Sequence, residues 1–235
     1  GMLPGMCYYV PMVDETGGML NDPVAVMISD DRFWVSISDS DLLFWVKGLA
    51  YGLRLDVLVD EPDVSPLAIQ GPKADELAAR IFGDKVKDLK FFRHGHFDFQ
   101  GQDMIVARSG YSKQGGFEVY VEGERNGMPL WNALMEAGKD LDVHAGCPNL
   151  IERIEGGLLS YGNDMNRDNT PHEAGLGRFC STQTAIGCVG RDALLRVSKE
   201  GPVKQVRALR IEGDLPPCDR GWPLMDGQRQ VGTVT

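Results

Sequence analysis

Gly17-Gly18-Met19-Leu20-Asn21-Asp22-Pro23 is the stretch around which the chain is organised. It is entered from Cys7-Tyr8-Tyr9-Val10-Pro11-Met12-Val13, rich in β-formers, and left through Val24-Ala25-Val26-Met27-Ile28. The glycine pair supplies the positive φ that a tight reversal needs, so the segment predicts a turn between two strands. Asp22 stands at the head of an apolar strand, fixed by a following proline that forces extended backbone. Asn-Asp-Pro is also ordinary turn chemistry. Local residues leave Asp22 as either a turn residue or a placed carboxylate.

Further along, Arg32-Phe33-Trp34-Val35-Ser36-Ile37-Ser38 alternates, with Phe33, Val35 and Ile37 on one face and Trp34, Ser36 and Ser38 on the other. Asp39 or Ser40 suits a helix N-cap, and Leu42, Val46, Leu49 and Leu53 then form the buried stripe. Leu55 to Val59 reads as a further strand. Strands around one helix predict an α+β unit with an antiparallel sheet. The pattern breaks at Glu61-Pro62-Asp63-Val64-Ser65-Pro66. A short strand at Leu67-Ala68-Ile69 follows, then Gln70-Gly71-Pro72 and a helix with Leu77, Ala78, Ile81 and Phe82 on its apolar face.

Strands are expected near residues 89–92, 104–107 and 117–121, and a helix near 130–136 that buries Trp131, Leu134 and Met135. A helix near 149–159 buries Leu150, Ile151, Ile154 and Leu158. Residues 165–190 read as irregular. Val206 to Ile211 and Val231 to Val234 alternate like a strand pair.

The 235 residues suffice for a sizeable core, and 43% hydrophobic with 25% charged residues is the composition of a soluble globular protein. A net charge of −10 without any basic block argues against a nucleic-acid or anionic-membrane partner. No apolar run reaches membrane-spanning length. Cys7, Cys147, Cys180, Cys188 and Cys218 are odd in number and never form CxxC, which predicts reduced thiols in a cytoplasmic protein. GxGxxG, P-loop and GxSxG patterns are all missing, so a nucleotide cradle and a serine hydrolase have no support.

Three polar stretches remain. His94-Gly95-His96 with Asp98 lines one strand face, either as metal ligands or as a solvated polar face; no ligand lies nearby at metal spacing, and no metal is expected. In Gly110-Tyr111-Ser112-Lys113-Gln114-Gly115-Gly116-Phe117-Glu118-Val119-Tyr120, the residues Phe117, Val119 and Val121 form a core face and leave Glu118, Tyr120 and Glu122 opposite. That second face is either solvated or a pocket wall, since a carboxylate beside a tyrosine suits a flat heteroaromatic amide. In Glu152-Arg153-Ile154-Glu155, Arg153 and Glu155 flank an apolar helix face, which a simple intrahelical charge pattern also accounts for.

Taken in order, GGMLNDP (17–23), QGPKADEL (70–77), GYSKQGGFE (110–118), ERIEGGLLSYGND (152–164) and NTPHEAGL (169–176) resemble the folate-dependent glycine-cleavage T-protein (aminomethyltransferase) family. That family shows GGxxDD, QGP, GYTGEDGFE, RxxLRLE, YGxD and a TPxEAGL-like segment in the same order. The departures, among them Asn21 for the first acid of DD and Ser38-Asp39-Ser40-Asp41 for an NAAN-like stretch, resemble the dimethylsulfoniopropionate demethylase branch.

The resemblance implies an α+β, T-protein-like folate-binding fold with antiparallel sheets, packed helices and an incomplete last β-barrel module. It implies a partial folate-binding module at 1–64, a central α+β module at 65–185 and the start of a C-terminal barrel module at 186–235, in a chain truncated at both ends. It implies tetrahydrofolate as cofactor and a small-molecule methyl donor as partner. Asp22 matches the catalytic aspartate. Glu118 matches the glutamate on the pterin amide edge, and Tyr9 a tyrosine lining the folate pocket. Tyr111 and Tyr120 match pocket wall, Arg153 a supporting arginine, and Ser36 is carried over with them. Methyl transfer from a sulfonium is the expected reaction. Aminomethyl transfer, or folate binding without turnover, is the alternative. Exposed edges and apolar faces predict self-association, such as a homodimer.

Overall fold

The computed structural model describes residues 2–37, 42–147, 150–182, 187–214, 217 and 221–234. The first elements are β1 (Cys7–Tyr9), β2 (Met12–Val13), β3 (Met19–Asn21), β4 (Val24–Met27), β5 (Phe33–Ser36), α1 (Leu42–Gly52), β6 (Val64–Gln70) and α2 (Ala74–Phe82). Then come β7 (His94–Phe99), β8 (Gln102–Ala107), β9 (Gly116–Glu122), α3 (Glu124–Ala137), α4 (Leu150–Glu155), α5 (Arg191–Glu200), β10 (Trp222–Asp226) and β11 (Arg229–Val234). The chain forms two compact units: Gly1–Val10 with Asn21–Leu158, and Pro11–Leu20 with Leu159–Thr235.

In the first unit, the antiparallel sheet β6-β9-β8-β7 is the middle layer. One face carries α2 and α3. Leu77, Ala78 and Phe82 from α2, with Leu130 and Leu134 from α3, close over Met104, Val106, Phe117, Val119 and Val121. Leu130 rather than Trp131 leads the α3 stripe, and Trp131 is exposed. The other face carries the three-stranded sheet β1-β4-β5, through Cys7 and Val26 packed on Ile105, Ala107 and Tyr120. The expected α+β class holds, with helices, sheet and sheet in three layers.

The opening reversal differs from expectation. One turn between two strands becomes two pairings: β1 with β4, and β2 with β3. Asp22 therefore precedes β4 and lies outside the glycine turn. The strand expected at 89–92 forms later, as β7, because a 3₁₀ turn at Asp84–Asp88 delays it. The short strand expected at 67–69 spans seven residues, starting at Val64, and pairs with β9 throughout.

Several faces are inverted. Along β5, Phe33 and Val35 are exposed while Trp34 and Ser36 turn inward. On α4, Leu150, Ile151 and Ile154 are exposed while Arg153 is buried. Leu42 is buried on α1, but Leu53 falls beyond the helix end and is exposed. Residues 55–59 form no strand, since no described edge accepts them, and Leu58 is 89% exposed. Asp39 and Ser40, read as the cap, lie outside the described residues.

In the second unit, β2 and β3 form the hairpin over the glycine pair. Its turn is built by the buried Asp14, whose Oδ1 accepts from the Thr16 hydroxyl (2.6 Å), the Thr16 N–H (2.9 Å) and the Gly18 N–H (3.1 Å). Arg167 Nε donates to Asp14 Oδ2 at 2.7 Å. Burial raises the Asp14 carboxyl, but these bonds outweigh it and hold it at about 2. Helix α5 was not anticipated. The terminal strand pair is β10 with β11, and Val206 to Ile211 contributes no strand. Among the described residues no helix is long and apolar enough to cross a membrane.

Candidate functional site

All seven candidate residues belong to the first unit. Register places Tyr9, Val24 and Ser36 side by side across β1, β4 and β5, with Cys7, Val26 and Trp34 in the next row. Partners across strands, and residues two apart along them, share a face. That face is the one packed on β8 and β9, so Tyr9 and Ser36 are turned toward the layer that carries Glu118 and Tyr120.

The Tyr9 hydroxyl donates to Asp22 Oδ2 at 2.5 Å. Burial, then the hydrogen bond and charge of Asp22, with Tyr111 nearby, push the Tyr9 hydroxyl far above its ordinary range. Tyr9 therefore stays protonated and keeps donating. Pro23 ties its carbonyl to the Val10 N–H at 2.9 Å, which fixes the backbone just past Asp22.

Glu118 is half-buried on β9, and the Ser109 hydroxyl donates to its Oε2. Tyr120 is 3% exposed, with its ring 5.6 Å from that of Trp34. Its hydroxyl is buried without a hydrogen bond among the described residues; the Ser36 side chain is close enough to favour the ionised form but falls short of bonding geometry. Burial and the charge of Glu118 outweigh Ser36 and keep Tyr120 protonated. Cys7 faces the same layer. Burial first, then the charge of Glu118, push its thiol up to about 12, against the opposing charge of Arg93. A neutral buried thiol is no nucleophile.

Tyr111 and Arg153 meet at one acceptor. The Tyr111 hydroxyl donates to the Leu158 carbonyl at 3.4 Å, and Arg153 Nη1 donates to it at 3.3 Å. Gln114 Nε2 reaches Glu152 Oε1 at 2.9 Å, so the loop of residues 110–116 is tied once to α4 and once to Leu158 just beyond it. Arg153 thus braces the loop that holds Tyr111.

Sequence reading missed Gln70, Ser109 and Ser112. Gln70 Nε2 contacts the carbonyls of Ile69 (3.2 Å), Ser109 (3.0 Å) and Phe117 (3.2 Å), and its Oε1 accepts from the Ser112 hydroxyl at 2.7 Å. Gly110 (φ 152°) and Gly116 (φ 141°) make room for it. A Cβ at Gly110 would come within 2.1 Å of Gln70 Oε1, and one at Gly116 within 2.0 Å of the Ile69 carbonyl. The signal was available in the spacing of those two glycines.

The histidines of β7 go to separate partners. Buried His94 sets Nε2 2.7 Å from the Met27 carbonyl, and burial lowers its pKa. Exposed His96 pairs with Asp103 at 2.7 Å. Among the described residues no group of three His, Cys, Asp or Glu side chains is arranged to hold a metal ion.

Residues 1–184 match the GCVT N-terminal domain family. The chain belongs to that family. It is 58% identical over 233 residues to the dimethylsulfoniopropionate demethylase DmdA of Ruegeria pomeroyi, an alignment spanning 99% of this chain and 64% of that protein. It is 28% identical over 237 residues to the aminomethyltransferase of Halothermothrix orenii, spanning 98% of this chain and 65% of the relative. This GCVT-family chain thus spans slightly under two thirds of the length of these relatives. The crystal structure of glycine cleavage system aminomethyltransferase T from Bartonella henselae shares its fold, with a TM-score of 0.66 and 24% identity over 86% of this chain and 55% of that one.

Proposed function

We propose that this chain carries the folate site of a tetrahydrofolate-dependent methyltransferase, which moves a methyl group from a sulfonium donor, dimethylsulfoniopropionate, to tetrahydrofolate. The observation that carries the reading is the Asp22 carboxylate held at 2.5 Å by the Tyr9 hydroxyl, in the same unit as Glu118. The 58% identity to a demethylase named for that sulfonium supports the choice of donor.

The residues present fit the cofactor. Glu118 has one oxygen engaged by Ser109 and lone pairs left for two ring donors. The buried Tyr120 hydroxyl is still unpartnered among the described residues, and Tyr9 and Tyr111 supply aromatic side chains. Tetrahydrofolate, when bound, supplies the nucleophilic nitrogen that accepts the methyl group. Glu118 would hold the amide edge of its pterin, with Tyr111 and Tyr120 as wall, Ser36 beside Tyr120, and Arg153 as brace.

A sulfonium methyl is already activated, so the protein aligns the reactants and excludes water rather than removing a proton first. Asp22 would supply negative charge where positive charge develops, and the Tyr9 donor keeps its carboxylate oriented. The aromatic face of Tyr9 would attract the cationic donor by roughly 1–2 kcal/mol, whereas the Trp34 ring already has the Arg32 guanidinium 5.6 Å from its centroid.

Asp22→Ala is expected to lower methyl transfer from dimethylsulfoniopropionate by about 100-fold or more. Activity within a few-fold of wild type overturns the role. Aminomethyl transfer is the second reading, favoured by the 28% identity to an aminomethyltransferase over nearly the whole chain. Methylene-tetrahydrofolate formed from a lipoylated carrier protein would select it.

The division into modules at 1–64, 65–185 and 186–235, a cytoplasmic location and self-association are part of the same proposal. Exposed Phe44, Tyr51 and Leu58 favour association. A monomeric mass by light scattering at high concentration overturns it.

A further inference from the structure

We propose that Ser109 and Gln70 are positioning residues that set the Glu118 carboxylate, an inference that rests on Glu118 being the acceptor for the pterin amide edge. Ser109 is 5% exposed, and its hydroxyl is the donor to Glu118 Oε2. A carboxylate on a flexible side chain turns freely unless one oxygen is held. Ser109 holds that oxygen, and the carboxylate keeps its open sites in one direction.

Gln70 fixes both ends of this bond. Its amide nitrogen lies 3.0 Å from the carbonyl of Ser109 and 3.2 Å from that of Phe117, the residue immediately before Glu118. The donor residue and the backbone that carries the acceptor are therefore tied to one amide group. The carbonyls facing that nitrogen can only accept, so they fix the orientation of the amide and leave Gln70 Oε1 to accept from the Ser112 hydroxyl at 2.7 Å. Gly110 and Gly116 admit the Gln70 side chain, as their steric limits require. Register adds a second constraint. Ala68 and Ala107 flank Glu118 on β6 and β8, so no bulky neighbour crowds the carboxylate from either strand.

The arrangement predicts an effect of Ser109 that passes through Glu118 and through nothing else. Tetrahydrofolate is titrated calorimetrically into the wild type, Ser109→Ala, Glu118→Gln and the double variant, with melting temperatures recorded alongside. Ser109→Ala is expected to weaken binding about tenfold, and in the Glu118→Gln background the same change is expected to cost less than about twofold. A merely structural serine would cost the same in both backgrounds, and that result, or unchanged affinity in Ser109→Ala, overturns the proposal. A crystal structure of ligand-free Ser109→Ala is the second readout. Glu118 is expected to leave its present rotamer while the four Gln70 contacts persist; an unmoved carboxylate overturns the inference. If the wild type fails to bind tetrahydrofolate, the functional reading falls, and the ligand-free structure still decides the positioning role.

Discussion

Strand β9 and helix α4 carry equally clear apolar patterns and meet opposite fates. On β9, Phe117, Val119 and Val121 lie under α2 and α3, and the alternate residue Tyr120 is covered as well, by the β1-β4-β5 sheet. On α4, Leu150, Ile151 and Ile154 face outward while Arg153 is 5% exposed. The difference lies in what else holds each element. β9 has a strand on each edge and a layer on each face. α4 is six residues long, under two turns, and is fixed by the Gln114–Glu152 and Arg153–Leu158 bonds. Periodicity tells which residues share a face. It says nothing about which face is covered.

The sharpest way to break the comparison is to truncate both patterns. Phe117→Ala removes a ring with no exposure and is expected to cost about 3–5 kcal/mol of unfolding free energy, whereas Ile154→Ala should stay within about 0.5 kcal/mol. Urea unfolding of both variants checks this, and similar losses would mean that α4 is covered after all.

A second, smaller effect tests whether a buried charge is held by its hydrogen bonds. The Asp14 carboxyl drops from 3.8 to about 2 on folding, so the folded state binds its proton more weakly than the unfolded one. Its contribution is complete above pH ~4 and is lost as pH falls through ~2, amounting to roughly 2 kcal/mol. Stability measured at pH 6, 4 and 2.5 should fall more steeply in the wild type than in Asp14→Asn. Parallel profiles would show that Asp14 is not so held.

Much of the candidate site could be proposed from the sequence because its residues sit in short ordered motifs whose local chemistry is nearly self-contained. Tyr9 with Asp22, and Glu118 with Tyr120, each share one sheet face or one short link. Gln70 was not legible. A glutamine ahead of Gly-Pro reads as a turn residue, and its contacts to Ser109, Ser112 and Phe117 are 39 to 47 positions away. The expected strand at 55–59 failed for a related reason: alternation marks a candidate strand, but a strand exists only where an edge accepts it.

By itself the sequence determined the α+β class, the family motifs and their order, and the face-sharing of Phe117, Val119 and Val121. These follow from backbone periodicity and side-chain chemistry, both local. Only the tertiary structure decided that the glycine turn belongs to β2 and β3 while Asp22 pairs with Tyr9, that Tyr120 on the second face of β9 is covered rather than solvated, and that Arg153 is inside. Those outcomes depend on which surfaces of distant segments meet, and the free energy of covering a face belongs to both surfaces rather than to either stretch of chain.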